Sequence, residues 1–230
     1  NSKKFFAHIM TTSNHRPFTF PEGRVDRPQK THEGGVQYTD WAIGDFIRRA
    51  RDKPWFKDTL FVITADHTAS AAGKTDLPVE RYHIPMIWYA PGHVEPGIMD
   101  RLMSQIDVPT TLLGWLGIDH ESKFFGYNML TLEPGRERAF ISNYQTLGYM
   151  KANRLVVLGY RKPPVVMDGT PAVPVKTARI DDQTLVREAI ANYQIANLMF
   201  REGDMREDDE GSDYGEPSAL QHDGDEGINP

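Results

Sequence analysis

Apolar positions divide this chain into short runs and longer periodic stretches. Thr59-Leu60-Phe61-Val62-Ile63-Thr64-Ala65 and Ile84 to Tyr89 are near-continuous apolar runs, which predict strands buried on both faces, as in parallel sheets. Phe5 to Thr11 predicts an earlier strand, followed by a Pro-rich polar loop from Ser13 to Pro28. Val36, Thr39, Ile43, Phe46, Ile47 and Ala50 recur at helical spacing and predict an amphipathic helix that stops before Pro54. Val108 to Leu116 predicts another helix, with Pro109 in the first turn, where a missing N–H costs little. This alternation predicts an α/β fold, a mostly parallel sheet flanked by helices.

The second half of the chain changes pattern. Ala139 to Ser142, Gly148 to Ala152 and Arg154 to Gly159 predict shorter strands joined by turns at Asn143 and Asn153, a small antiparallel extension. Leu185, Val186, Ala189, Ile190, Tyr193, Ala196, Asn197 and Phe200 trace a C-terminal helix with one apolar face. From Arg201 the residues turn to Gly, Asp and Glu, including Asp208-Asp209-Glu210 and Asp223-Gly224-Asp225-Glu226. Such a composition buries too little apolar surface to offset the entropy of ordering. The expected division is therefore a folded portion over residues 1–200 and a disordered acidic tail over 201–230. A calcium loop in the tail lacks the Gly at position six and the Glu at position twelve that an EF-hand needs.

Composition narrows the functional classes. With 230 residues, 39% hydrophobic and 25% charged, the chain is long enough for one sizeable core. A net charge of −6 does not favour nucleic acid, and the one basic cluster, Arg48-Arg49-Ala50-Arg51, suits a helix carboxyl terminus. Without cysteine there is no disulfide, no thiolate chemistry and no cysteine-derived formylglycine in these residues.

Asp66-His67, at the end of the Thr59–Ala65 run, is the most informative pair. Ligands of open α/β folds collect outside the carboxyl ends of strands, and a carboxylate beside an imidazole suits a divalent ion such as Mn²⁺ or Zn²⁺. The same dipeptide also fits a helix cap or an Asx-turn. Asp119-His120, after a helix-like stretch and a Gly, reads as a solvated turn. His15, in Ser13-Asn14-His15-Arg16, sits in a cluster of donors suited to a phosphate or a glycerol hydroxyl. Arg81 and Lys74 flank the Asp66 loop and suit an anionic headgroup, or equally a solvated surface. His83 is expected to be a core histidine rather than a metal ligand, and Trp41 and Tyr38 helix surface and core.

Three segments in order resemble the second half of a sulfatase-type catalytic domain of the alkaline phosphatase superfamily. They are Thr64-Ala65-Asp66-His67-Thr68, the run from Arg81 through His83-Ile84-Pro85 to Pro91-Gly92, and the run from Ser104 through Asp107-Val108-Pro109-Thr110 to Ile118. Phe5-Phe6-Ala7-His8-Ile9-Met10-Thr11-Thr12-Ser13-Asn14-His15-Arg16-Pro17-Phe18 is most similar to the lipoteichoic acid synthase and phosphoglycerol transferase branch. Tyr193-Gln194-Ile195-Ala196 resembles the core of a late helix in that family.

The resemblance implies Asp66 and His67 as metal ligands, for Mn or Zn with Mg possible, and His15 as a catalytic and headgroup-contacting residue, with Arg16 and Arg81 on the substrate. It implies a covalent intermediate on a Thr, Ser or formylglycine nucleophile, which the family carries upstream of a segment like Phe5–Thr12. The chain opens on Asn1-Ser2-Lys3-Lys4 with no start methionine, signal peptide or transmembrane stretch, so a carboxyl-terminal fragment, inactive alone, is expected. The expected partners are a phospholipid headgroup or a glycan acceptor, not nucleic acid. The expected parent is a membrane protein, anchored through absent N-terminal segments, with its catalytic domain outside the cytoplasmic membrane. Sulfate-ester hydrolysis, phosphoethanolamine transfer and a non-catalytic envelope protein are the alternatives.

Overall fold

A computed structural model describes residues 4–69, 77–168 and 181–206. The chain divides into two compact units, one formed by Asn1–Thr68 with Ile84–Asp100 and the other by Ala69–His83 with Arg101–Pro230. Lys74 and the acidic segments from residue 207 onward lie outside the described residues.

The first unit is built on helix α1 (His32–Ala50) and strands β1 (Phe61–Thr64) and β2 (Met86–Tyr89). Thr31 caps α1, its Oγ1 accepting the Gly34 N–H at 3.1 Å, and Arg48 and Arg49 fall in the last turn, where Asp45 pairs with both. The strands pair antiparallel, Phe61 opposite Tyr89 and Thr64 opposite Met86. The expected α/β class of sheets and helices holds, with this strand pair antiparallel rather than parallel. A parallel pair needs a crossover helix, and between β1 and β2 the described residues hold only the single turn Val79–Arg81. The strands are half-buried rather than enclosed on both faces. Packing rests on aromatic rings, with buried Phe56 against Phe61 and Tyr89, and Phe46 and Trp55 also against Phe61. The strand expected at Phe5–Thr11 joins no ladder among the described residues. Phe5, Phe6, Ile9 and Met10 are exposed, and Phe5 sets its ring edge against Trp55.

The second unit holds helix α2 (Asp107–Trp115), strands β3 (Ala139–Ser142), β4 (Thr146–Lys151), β5 (Arg154–Gly159) and β6 (Val165–Asp168), and helix α3 (Gln183–Glu202). The four strands form an antiparallel meander in chain order. β3, β4 and β5 follow the expected extension, and β6 adds a strand that the apolar pattern did not predict. Ala152 and Asn153, both at positive φ, form the two-residue turn between β4 and β5. Asn143 closes the preceding hairpin by accepting the Gln145 and Thr146 N–H groups.

Side-chain alternation gives the meander two apolar faces. Met150 and Leu155, paired across β4 and β5, pack with Leu77, Val79, Ala139 and Ile141 on one face. Tyr149, Val156 and Val166 carry α3 on the other through Leu185, Val186 and Ala189. Asp182 caps α3 by accepting the Leu185 N–H, and Gly203 ends it at φ +83°, the left-handed geometry of a helix stop. The helix therefore runs two residues past the expected domain boundary at residue 200. No helix among the described residues is long and apolar enough to cross a membrane.

Candidate functional site

Asp66 and His67 follow β1 by two residues, on a turn whose start is tied by Thr64 Oγ1 donating to the Pro85 carbonyl at 3.2 Å. Both side chains stand out from the surface, 83% exposed for Asp66 and 68% for His67. Asp66 Oδ1 accepts the His67 backbone N–H at 2.8 Å, which orients the carboxylate. His67 Nδ1 lies 2.9 Å from the Thr68 carbonyl. A carbonyl only accepts, so this contact makes Nδ1 a donor and turns Nε2 outward. Nε2 stands 3.6 Å from Asp66 Oδ2.

The gap suits a metal ion. Two ligand atoms each about 2.0–2.2 Å from a tetrahedral ion stand roughly 3.4 Å apart. A backbone carbonyl bound to the distal ring nitrogen is also the usual device for orienting a ligating histidine. Asp66 and His67 therefore fit two ligand positions. Among the described residues no group of three His, Asp or Glu gathers into a metal-holding cluster, so this pair by itself is half a site.

His15 and Arg16 lie on a tight double turn of the same unit. His15 N–H donates to the Thr12 carbonyl at 3.0 Å, and Phe18 N–H donates to the His15 carbonyl at 2.7 Å. His15 Nδ1 meets the Arg16 carbonyl at 2.9 Å, which turns Nε2 outward on an exposed ring. Arg81 belongs to the other unit, exposed at the end of the Val79–Arg81 turn. His83 is exposed, not the core histidine expected. Asp119-His120 is exposed and lies just past the Leu116-Gly117 turn rather than in it, with His120 Nδ1 held by the Ile118 carbonyl at 3.0 Å. Phe20, Tyr38, Trp41 and Arg24 form a continuous stack that fixes the loop after His15 onto α1.

The pattern missed a second ionic centre. Asp107, at the start of α2, is fully buried and takes Arg138 Nη1 on both oxygens, at 2.7 and 2.9 Å. The Ser104 and Tyr127 N–H groups complete the carboxylate at 2.8 Å each. Arg138 gives its other arm to the Phe125 carbonyl and lies 3.9 Å above the Tyr127 ring. Thr111 Oγ1 donates to the Asp107 carbonyl and accepts the Met129 N–H. The centre locks the 125–129 segment onto α2. Ser104-Gln105-Ile106-Asp107 carries a sequence signal for half of it, since an acid three residues after a Ser reaches back to that residue's N–H.

Comparison with known proteins follows this geometry. The Sulfatase family model matches residues 1–118. A lipoteichoic acid synthase-like protein, YvgJ, of Bacillus subtilis is 24% identical over 152 residues, covering 55% of this chain and 25% of the relative. A phosphoglycerol transferase I of Salmonella paratyphi B is 28% identical over 76 residues, 30% of this chain and 10% of the relative. The chain thus spans a quarter or less of the length of these relatives. A crystal structure of an alkaline phosphatase superfamily protein from Vibrio parahaemolyticus superposes with a TM-score of 0.79 at 28% identity, over 86% of this chain and 49% of that one. The crystal structure of Ps i-CgsB, at 15% identity and a TM-score of 0.50, shares the fold alone. With the family model covering half its length and the Asp66-His67 turn inside the matched region, this chain belongs to the sulfatase family of enzymes.

Proposed function

We propose that this chain supplies the metal-ligand pair and the headgroup-contacting histidine of a metal-dependent phosphoglycerol transferase acting on phosphatidylglycerol-type donors. The observation that carries the reading is the 3.6 Å spacing of His67 Nε2 and Asp66 Oδ2, with His67 Nδ1 tied to the Thr68 carbonyl. The similarity of relatives described as lipoteichoic acid synthase-like and phosphoglycerol transferase supports the donor class.

Asp66 and His67 would hold a divalent ion, Mn or Zn, which when bound makes a hydroxyl nucleophile more acidic and offsets phosphate charge. His15, with Nδ1 tied to backbone on its turn, would orient a glycerol hydroxyl or assist its proton transfer through Nε2. Arg16, on the same turn, is the cation for the phosphate oxygens. The chain covers a quarter of the lipoteichoic acid synthase-like relative, so in this reading the nucleophile, which would carry the phosphoglyceryl group covalently, is supplied by another part of the whole protein and the chain by itself does not turn over. In the same reading the whole protein works at the outer face of a membrane.

The test is binding of sn-glycerol 1-phosphate, phosphoethanolamine and sulfate to the 230-residue chain with Mn²⁺ present, beside Asp66→Ala and His15→Ala. The expected result is preference for glycerol phosphate, lost in the first variant and weakened in the second. Preference for sulfate would replace the reading with a sulfatase, and preference for phosphoethanolamine with transfer of that group. Turnover of a phosphatidylglycerol analogue by the chain alone would overturn the assignment of the nucleophile.

A further inference from the structure

Helix α1 opens with two adjacent glycines, Gly34 and Gly35, both buried. Consecutive glycines weaken a helix, because each gives up more backbone freedom than alanine on ordering. The neighbours of each glycine account for its place here. A Cβ on Gly34 would stand 2.4 Å from the Pro28 carbonyl oxygen and 3.1 Å from the Phe20 ring. One on Gly35 would stand 2.9 Å from the Ser13 carbonyl oxygen, 3.1 Å from Phe18 Cδ1 and 3.5 Å from Asn14 Cα. Gly34 thus receives the far part of the loop, and Gly35 receives the residues on both sides of His15.

Thr12, His15 and Phe18 are linked by successive backbone hydrogen bonds, so the turn moves as one piece. The Phe18 ring meets His32, in the same first turn of α1, edge to face at 5.7 Å, and the Phe18 carbonyl accepts the Lys30 N–H at 3.1 Å. The turn therefore rests on a flat seat whose floor is Gly35 and whose side is Phe18. A methyl group at position 35 meets backbone rather than the end of a flexible side chain, and backbone yields only by moving the turn.

We propose that Gly35 is a positioning residue for His15. The absent side chain at 35 sets the height of the His15 turn above α1, and so sets where its imidazole meets the glycerol phosphate headgroup. This rests on the reading of His15 given above. Displacements of about an ångström at such a position are enough to weaken a polar contact severely.

The experiment compares the 230-residue chain with its Gly35→Ala variant by NMR of the histidine rings and backbone amides, followed by titration with sn-glycerol 1-phosphate in the presence of Mn²⁺. Alanine is the better helix former, so α1 itself is not weakened. The expected result is displaced His15 ring and residue 12–18 amide signals, roughly tenfold weaker glycerol phosphate binding, unmoved signals at Asp66 and His67, and unchanged Mn²⁺ affinity. Gly44→Ala is the control, because its Cβ would meet only the mobile tip of Arg48 at 3.3 Å. Phe18→Ala removes the side of the seat without adding bulk inside the helix, and is expected to displace the same ring should Gly35→Ala not fold.

Unmoved His15 signals in both seat variants would overturn the proposal. So would displaced signals with headgroup affinity intact. If the unaltered chain binds no glycerol phosphate while the ring still moves in Gly35→Ala, the seat stands and the headgroup reading fails.

Discussion

Asp107 and Asp66 each face a nitrogen-bearing side chain, and the two settings are opposite. Asp107 is fully buried, receives Arg138 on both oxygens and two backbone N–H groups, and has no lone pair to spare for an outside ligand. Asp66 is 83% exposed, its Oδ1 accepts the His67 backbone N–H, and its Oδ2 stands 3.6 Å from His67 Nε2. A carboxylate buried and satisfied on every side secures the fold. An exposed one beside an imidazole is within reach of solvent and of whatever it carries. Charge alone does not separate the two, but burial does.

Breaking the buried pair should have the largest effect. Arg138→Met leaves the Asp107 charge inside with one partner gone, and is expected to cost about 3–5 kcal/mol in urea denaturation. A loss under about 1 kcal/mol would mean that the pair is not the anchor described.

The next effect lies on the α3 side of the meander. Tyr193 donates to the Gly148 carbonyl at 2.8 Å, and Tyr193→Phe is expected to cost about 1 kcal/mol near neutral pH. Burial pushes the Tyr193 phenol up to about 12 from its ordinary 10.0, and burial with the Glu188 carboxylate raises Tyr149 further still. Raised phenols stabilise the fold fully below pH 10.0, the unfolded value, and lose that contribution as pH climbs towards about 12. Alkaline melts of Tyr193→Phe should therefore show a shallower decline than the unaltered chain.

At the acid end the expected effect is smaller. The Leu185 N–H, and after it Arg154, hold the Asp182 carboxyl below its ordinary 3.8. A lowered carboxyl stabilises above the unfolded value and loses that stability as pH falls through the folded one. Asp182→Asn should flatten the acid limb of a stability profile recorded from pH 5 downward, and an unchanged limb would show that the cap carries none of the acid sensitivity.

How much of this was legible in the sequence depends on the range of the interactions. α1, α2, α3 and the β3 to β5 meander were readable because period and turn residues are local, as with Asn143 and Asn153. The direction of β2 was not, because it depends on what connects the strands rather than on the strands themselves. β6 was missed, and Phe5–Thr11, apolar as it is, forms no ladder among the described residues. The sequence located Asp66-His67 after an apolar run, and the structure places the pair exposed just beyond β1. Arg138 was invisible, since nothing near it in the chain marks a partner 31 residues away. The glycine seat was equally hidden, because a glycine's value lies in the atoms that press on it.

The central claim is that Asp66 and His67 are a metal pair held apart from the stability of the fold. Asp66→Ala is expected to change stability by no more than about 0.5 kcal/mol. The direct measurement is Mn²⁺ titration of the isotope-labelled chain, reading paramagnetic broadening residue by residue in the unaltered protein and in Asp66→Ala. The account predicts broadening centred on residues 64–68 and the His67 ring, abolished in the variant while its melting temperature stays the same. Sharp signals at Asp66 and His67 throughout the titration, or broadening there that survives the loss of Asp66, would contradict it.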